Sequence, residues 1–202
     1  MREPENISEV VAAHPDFIGF IFYPKSSRFV GRDFSIEMSV RIAPSIKKVG
    51  VYVDEVLEKI IETSQAYHLE IAQLHGNESP RFCRQLKESG IMVFKAFSLD
   101  ESFDFKKLEA YSDHCDVFLF DTKGQLPGGT GTKFDWQLLN KYKMDVPFFL
   151  SGGIKPADLE AIKDLRHPQL LGVDINSGFE IRPALKDINQ VKQFIEGIRS
   201  NH

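Results

Sequence analysis

The chain has 202 residues, 42% of them hydrophobic and 27% charged, with a formal net charge of -4. That balance suits one soluble domain over residues 1–202 with a substantial core, and it excludes a disordered or fibrous chain. No lysine- and arginine-rich stripe points to nucleic acid as a partner, and no apolar run approaches the ~20 residues that span a bilayer, so small-molecule chemistry is the better expectation.

The amino terminus, Met1-Arg2-Glu3-Pro4-Glu5-Asn6, is polar and lacks the apolar core of a signal peptide. The expected setting is cytoplasmic, neither exported nor membrane-embedded. The two cysteines, Cys83 and Cys115, have no metal-ligand spacing and fit a reduced compartment. Pro4 and Glu5 suit a first helical turn, with Ile7, Val10 and Val11 as its apolar face. Short apolar runs then alternate with amphipathic ones. The strand candidates are Phe17 to Tyr23, Val49 to Val53, Ile71 to His75, Met92 to Phe97, Val117 to Asp121, Phe148 to Ser151 and Leu170 to Ile175. Helical spacing appears over Asp54 to Tyr67, where Asp54 reads as a cap, and over Pro80 to Ser89, with Phe82, Arg84 and Leu86 in register. This alternation predicts parallel strands joined by right-handed crossovers, either as an open sheet or as a barrel.

Three strand ends carry the chemistry. Phe118-Leu119-Phe120-Asp121 is an apolar strand that stops on a carboxylate and feeds a glycine-rich loop. A carboxyl fixed and partly desolvated there suits general-acid chemistry near neutral pH, whereas an isolated strand-end Asp would more simply cap a turn. Two later strands end in Ser151-Gly152-Gly153 and in Asn176-Ser177-Gly178. Glycines admit close approach of backbone N–H groups to an anion, and paired loops after the last two strands match the usual phosphate site of a β/α barrel. Gly152, Gly153, Ser177 and Gly178 are the expected phosphate ligands. His75 and Asp174, also at strand ends, face the mouth of such a barrel or serve as structural hydrogen-bonding residues, with little in their position to choose between the two.

Several motifs in order along the chain resemble those of the phosphoribosylanthranilate isomerases, enzymes of tryptophan biosynthesis. They are Gly19-Phe20-Ile21-Phe22-Tyr23-Pro24-Lys25-Ser26-Ser27-Arg28-Phe29-Val30, Gln73-Leu74-His75-Gly76, Phe120-Asp121-Thr122 with Gly128-Gly129-Thr130-Gly131 and Phe134-Asp135-Trp136, then Leu150-Ser151-Gly152-Gly153 and Val173-Asp174-Ile175-Asn176-Ser177-Gly178. The resemblance implies a TIM-type (β/α)8 barrel and an Amadori rearrangement of a phosphoribosyl group attached through nitrogen to anthranilate. A general acid protonates the furanose oxygen, the ring opens to an imine, and a base removes a proton from the adjacent sugar carbon. No cofactor and no metal are implied. By resemblance Asp121 is the general acid, Arg28 grips the anthranilate carboxylate, and His75 and Asp174 contact substrate.

The family's first strand ends in Lys-Ile/Val-Cys-Gly, whose cysteine is the base, and Met1-Arg2-Glu3-Pro4 matches the family segment immediately after that Cys-Gly pair. The expectation for residues 1–202 is therefore a barrel lacking its first strand, without the family cysteine, impaired in turnover and able to self-associate through exposed strand edges. Neither Cys83 nor Cys115 is carried over into the role of the base. The alternative is a barrel that binds phosphorylated ligands without turning them over. An indoleglycerol-phosphate synthase or a sugar-phosphate epimerase fits the late loops but not Arg28 or the Gly128 to Trp136 segment.

Overall fold

Residues 4 to 11 form the first helix because Pro4 fits an opening turn, where its missing N–H costs nothing, and because Ile7 and Val10 recur on one buried face. The computed structural model describes residues 1–31, 34–122 and 135–200. Helix α1 (Pro4–Val11) precedes β1 (Phe17–Ile21), α2 (Ile36–Val40), β2 (Lys47–Tyr52), α3 (Leu57–Ala66), β3 (Ile71–Leu74), α4 (Pro80–Glu88) and β4 (Met92–Leu99). A 3-10 helix over Phe105–Tyr111 leads to β5 (Val117–Thr122), and a second over Trp136–Lys141 leads to β6 (Phe148–Leu150). Then come α5 (Leu159–Asp164), β7 (Leu170–Val173), a hairpin of β8 (Glu180–Arg182) and β9 (Leu185–Lys186), and α6 (Ile188–Arg199).

The seven strands β1 to β7 form one sheet in sequence order, each parallel to its neighbours. This is the sheet of a TIM-type barrel lacking one strand, with β1 and β7 as its outer strands. It curls around its own interior. Phe17 on β1 lies 5.3 Å, ring centre to ring centre, from Phe149 on β6 and 5.9 Å from Phe94 on β4. Those rings pack with Val49, Ile71, Ala96, Val117 and Leu119 in an interior cluster. The alternate residues of the same strands, among them Phe118, Phe120, Phe148 and Leu150, face outward into the larger cluster shared with the helices. Burial on both faces is why these strands read as unbroken apolar runs.

All seven strand candidates are present, with ends shifted by a few residues. The first stops at Ile21 because the chain turns through Pro24 and folds back, Val30 N–H donating to Ile21 O at 3.0 Å. Asp54 is not a helix cap. It has φ of 50°, α3 starts three residues later behind Val56, and the Asp54 carboxylate accepts the Asn77 N–H at 2.6 Å, tying the loop after β2 to the loop after β3. In α4, capped by Ser79, the fully buried residues are Cys83 and Leu86, while Arg84 is exposed and pairs with Glu88. Among the described residues no helix is long and apolar enough to cross a membrane.

Candidate active site

The backbone ladder continues one residue past several strands and fixes the polar side chains there. His75 N–H donates to Tyr52 O, Ser151 N–H to Phe120 O and Asp174 N–H to Leu150 O, each at 2.8 Å. Two-residue periodicity puts Gln73 and His75 on the same face of the β3 line as Ile71, and Asp121 on the face of Val117 and Leu119. All of these belong to the barrel interior at the carboxyl ends of the strands. His75 Nε2 lies 3.0 Å from Asp121 Oδ2, and His75 Nδ1 lies 3.3 Å from Gln73 Nε2. Burial pushes the proton affinity of Asp174 up and the neighbouring Asp121 adds to this, while His75, Lys186 and a hydrogen bond from Gln73 act the other way without overcoming it.

The loop after β6 crosses close over β5. Gly152 and Gly153 have φ of +87° and +66°, and Gly152 O accepts the Thr122 hydroxyl at 3.3 Å. A Cβ on Gly152 would overlap Asp121 Oδ1 and Thr122 N, so only glycine lets the loop approach the carboxylate. A Cβ on Gly178 would overlap Ile154 O. The two glycine loops, after β6 and after β7, therefore abut on the same face as Asp121.

Arg28 lies in the loop after β1, where its Nε and Nη2 meet Glu180 Oε2 at 2.8 and 2.7 Å. Lys186 Nζ approaches Glu180 Oε1 at 3.2 Å and also donates to Asn176 O and Oδ1 at 2.9 and 2.6 Å. Burial pushes Glu180 up, but the hydrogen bond from Arg28 and the charge of Lys186 outweigh it and hold the carboxyl below its ordinary value. Burial holds the Lys186 ammonium below its usual range against the opposing pull of Glu180.

The structure thus brings Asp121, His75, Asp174, Gly152 and Gly153 together, with Ser177 and Gly178 in the adjoining loop, and it sets Arg28 on Glu180 beside them. The Gly128-Gly129-Thr130-Gly131 motif and Phe134 lie outside the described residues. Cys83 and Cys115 are both buried in the helix-facing cluster rather than in the barrel interior. Glu180 and Lys186 were not singled out by the sequence, because a lone Glu and a lone Lys near the carboxyl end give no pattern. Gln73 was visible only as the residue two before His75. Among the described residues no group of three or more His, Cys, Asp or Glu is placed to hold a metal ion.

Residues 1–197 match the family model described as N-(5'-phosphoribosyl)anthranilate (PRA) isomerase. The chain is 48% identical over 201 residues to the N-(5'-phosphoribosyl)anthranilate isomerase of Parabacteroides distasonis, an alignment covering 98% of this chain and 90% of that one. It is similar to the crystal structure of phosphoribosyl anthranilate isomerase from Thermotoga maritima, with a TM-score of 0.85, 31% identity and coverage of 98% and 95%. It is also similar to a phosphoribosyl anthranilate isomerase in complex with reduced 1-(o-carboxyphenylamino)-1-deoxyribulose 5-phosphate, with a TM-score of 0.82, 30% identity and the same coverage.

Proposed function

Because the chain belongs to the N-(5'-phosphoribosyl)anthranilate isomerase family, we propose that it converts N-(5'-phosphoribosyl)anthranilate to 1-(2-carboxyphenylamino)-1-deoxyribulose 5-phosphate, a step of tryptophan biosynthesis. The observation that carries this reading is the placement of Asp121 at the end of β5, hydrogen-bonded to His75 and pressed against the Gly152 loop. In this scheme the backbone of Gly152, Gly153, Ser177 and Gly178 binds the 5'-phosphate, which lays the ribose across Asp121. The Asp121 O–H bond breaks as its proton goes to the furanose oxygen, and the ring C–O bond opens to the imine. Glu180 occupies Nε and one side of Nη2 of Arg28, so the outer edge of the guanidinium, with Nη1, takes the anthranilate carboxylate. His75 and Asp174 line the ribose. The resemblance gives the later proton abstraction to a cysteine on a strand ahead of the position of Met1.

The substrate is a small molecule, and a cytoplasmic setting is part of the proposal, supported by two buried free thiols. The test monitors the loss of phosphoribosylanthranilate fluorescence with the protein and with Asp121→Asn. Turnover that falls about 10²–10⁴-fold in the variant, with KM little changed, is the expected result. Binding of a product analogue without any turnover by the parent protein would replace this reading with a ligand-binding barrel.

A further inference from the structure

Gln73 is 7% exposed, and its side-chain nitrogen faces an imidazole nitrogen rather than an oxygen. An amide nitrogen carries two hydrogens and accepts nothing, so His75 Nδ1 must be the acceptor of this contact. A neutral imidazole then carries its one hydrogen on Nε2, which lies 3.0 Å from Asp121 Oδ2. The orientation of the amide is itself fixed. Gln73 also hydrogen-bonds the Asp174 carboxyl, and a reversed amide would set its oxygen against carboxylate oxygen and against the lone pair of Nδ1.

We propose that Gln73 is a positioning residue that sets the tautomer of His75 and, through it, which oxygen of Asp121 carries the acid proton. The proposal deepens the isomerase reading and rests on it. Oδ2 takes the His75 hydrogen, which leaves Oδ1, the oxygen against Gly152, to hold the proton that is delivered to the furanose ring. Once the proton has gone, the Nε2–H stabilises the carboxylate that remains. The charged groups around the imidazole are Asp121 from β5, Asp174 after β7 with Lys186 beyond it on β9, and, behind the β3 loop, Asp54 and the Lys95–Glu78 pair. Of these only Asp121 is within hydrogen-bonding reach of the ring nitrogens. Gln73 is thus the group that decides where the hydrogen sits.

The test combines ¹⁵N spectra of histidine-labelled protein with kcat and KM for the parent protein, Gln73→Glu and Gln73→Met, the His75 signal being assigned by its loss in His75→Gln. The parent is expected to show the hydrogen on Nε2. Gln73→Glu presents an acceptor to Nδ1, so it should move a hydrogen there and lower kcat by about 10²-fold through misplacement of the acid, with KM changed less than about twofold. Gln73→Met brings no charge into the barrel and reports through the same signals should the glutamate variant fail to fold; there the preference for Nε2 should disappear. A parent with its hydrogen on Nδ1 overturns the proposal, and so does a variant that shifts the tautomer without lowering kcat. A parent that shows the Nε2 hydrogen but no turnover sinks the isomerase reading alone and upholds the hold of Gln73 on His75.

Discussion

Asp174 is the residue whose environment most opposes its charge, since burial and the proximity of Asp121 together outweigh His75, Lys186 and Gln73. Its folded proton affinity is raised above the unfolded value, so between the ordinary aspartate value and the raised one the folded state binds more protons than the unfolded state. Stability is therefore lost as pH rises through that window. Asp174→Asn removes the penalty, and its denaturant midpoint should exceed that of the parent at pH 7, with the difference shrinking toward zero as pH falls below about 4. Equal midpoints at pH 7 would mean that the hydrogen bonds to Asp174 already offset its burial. Gly152 makes a second case. An alanine there must hold φ near +87° and overlap both Asp121 Oδ1 and Thr122 N. Gly152→Ala should cost about 1–3 kcal/mol in stability by urea titration, and it should lower kcat because the carboxylate has to move.

Between elements, the loop after β3 is held by an ion pair that faces away from the barrel interior. Lys95 Nζ lies 3.2 Å from Glu78 Oε2, with the two side chains 3% and 2% exposed, and donates to Leu74 O, Gly76 O and Ala96 O at 3.2, 2.9 and 2.9 Å. Glu78 in turn accepts the N–H groups of Asp54 and Gly76 at 3.0 Å each. The pair sits behind His75, so its loss strikes the site through the loop. Removing one partner leaves a buried, unpaired charge: Lys95→Met or Glu78→Gln should each cost about 3–5 kcal/mol, and the double variant markedly less than their sum in a urea double-mutant cycle. Additive costs would show that the pair is not coupled. Nothing in the sequence marked this brace, because Lys95 falls in an apolar strand run and Glu78 in a polar loop, and only the fold brings them together. The strands were legible for the opposite reason: burial on both faces makes Val117 to Phe120 or Phe148 to Leu150 apolar regardless of what lies beside them. Asp121 and the glycine loops were legible as abrupt breaks in those runs. Arg28 was visible only through resemblance, its hold on Glu180 spanning 152 residues of chain. The hairpin β8–β9 was missed because strands of three and two residues carry no periodicity.

At the scale of the molecule, β1 and β7 are the outer strands of a curved sheet whose interior rings already touch from β1 to β6. Each inner strand pairs on both sides, whereas β1 pairs only with β2 and β7 only with β6. Edge strands exchange more readily, so amide hydrogens of β1 and β7 should lose protection before those of β3 to β5. One strand of parallel pitch, placed between β1 and β7, would pair with both edges. The family resemblance identifies that strand as Lys-Val-Cys-Gly joined directly ahead of Met1. Three proteins decide the matter: residues 1–202, the same chain carrying a strand that ends in Lys-Val-Cys-Gly ahead of Met1, and that extended chain with its cysteine replaced by serine. The extended chain should show a higher urea midpoint than residues 1–202, because a paired strand adds ladder hydrogen bonds and covers interior groups such as Phe17. The serine version should keep that midpoint while its kcat falls by about 10²–10⁴-fold, since an alkyl hydroxyl is a far poorer base than a thiolate. Affinity for a product analogue should be similar in all three, because Arg28 and both glycine loops are common to them. A kcat for residues 1–202 equal to that of the extended chain would place the base elsewhere, and an unchanged urea midpoint would mean that the added strand does not enter between β1 and β7.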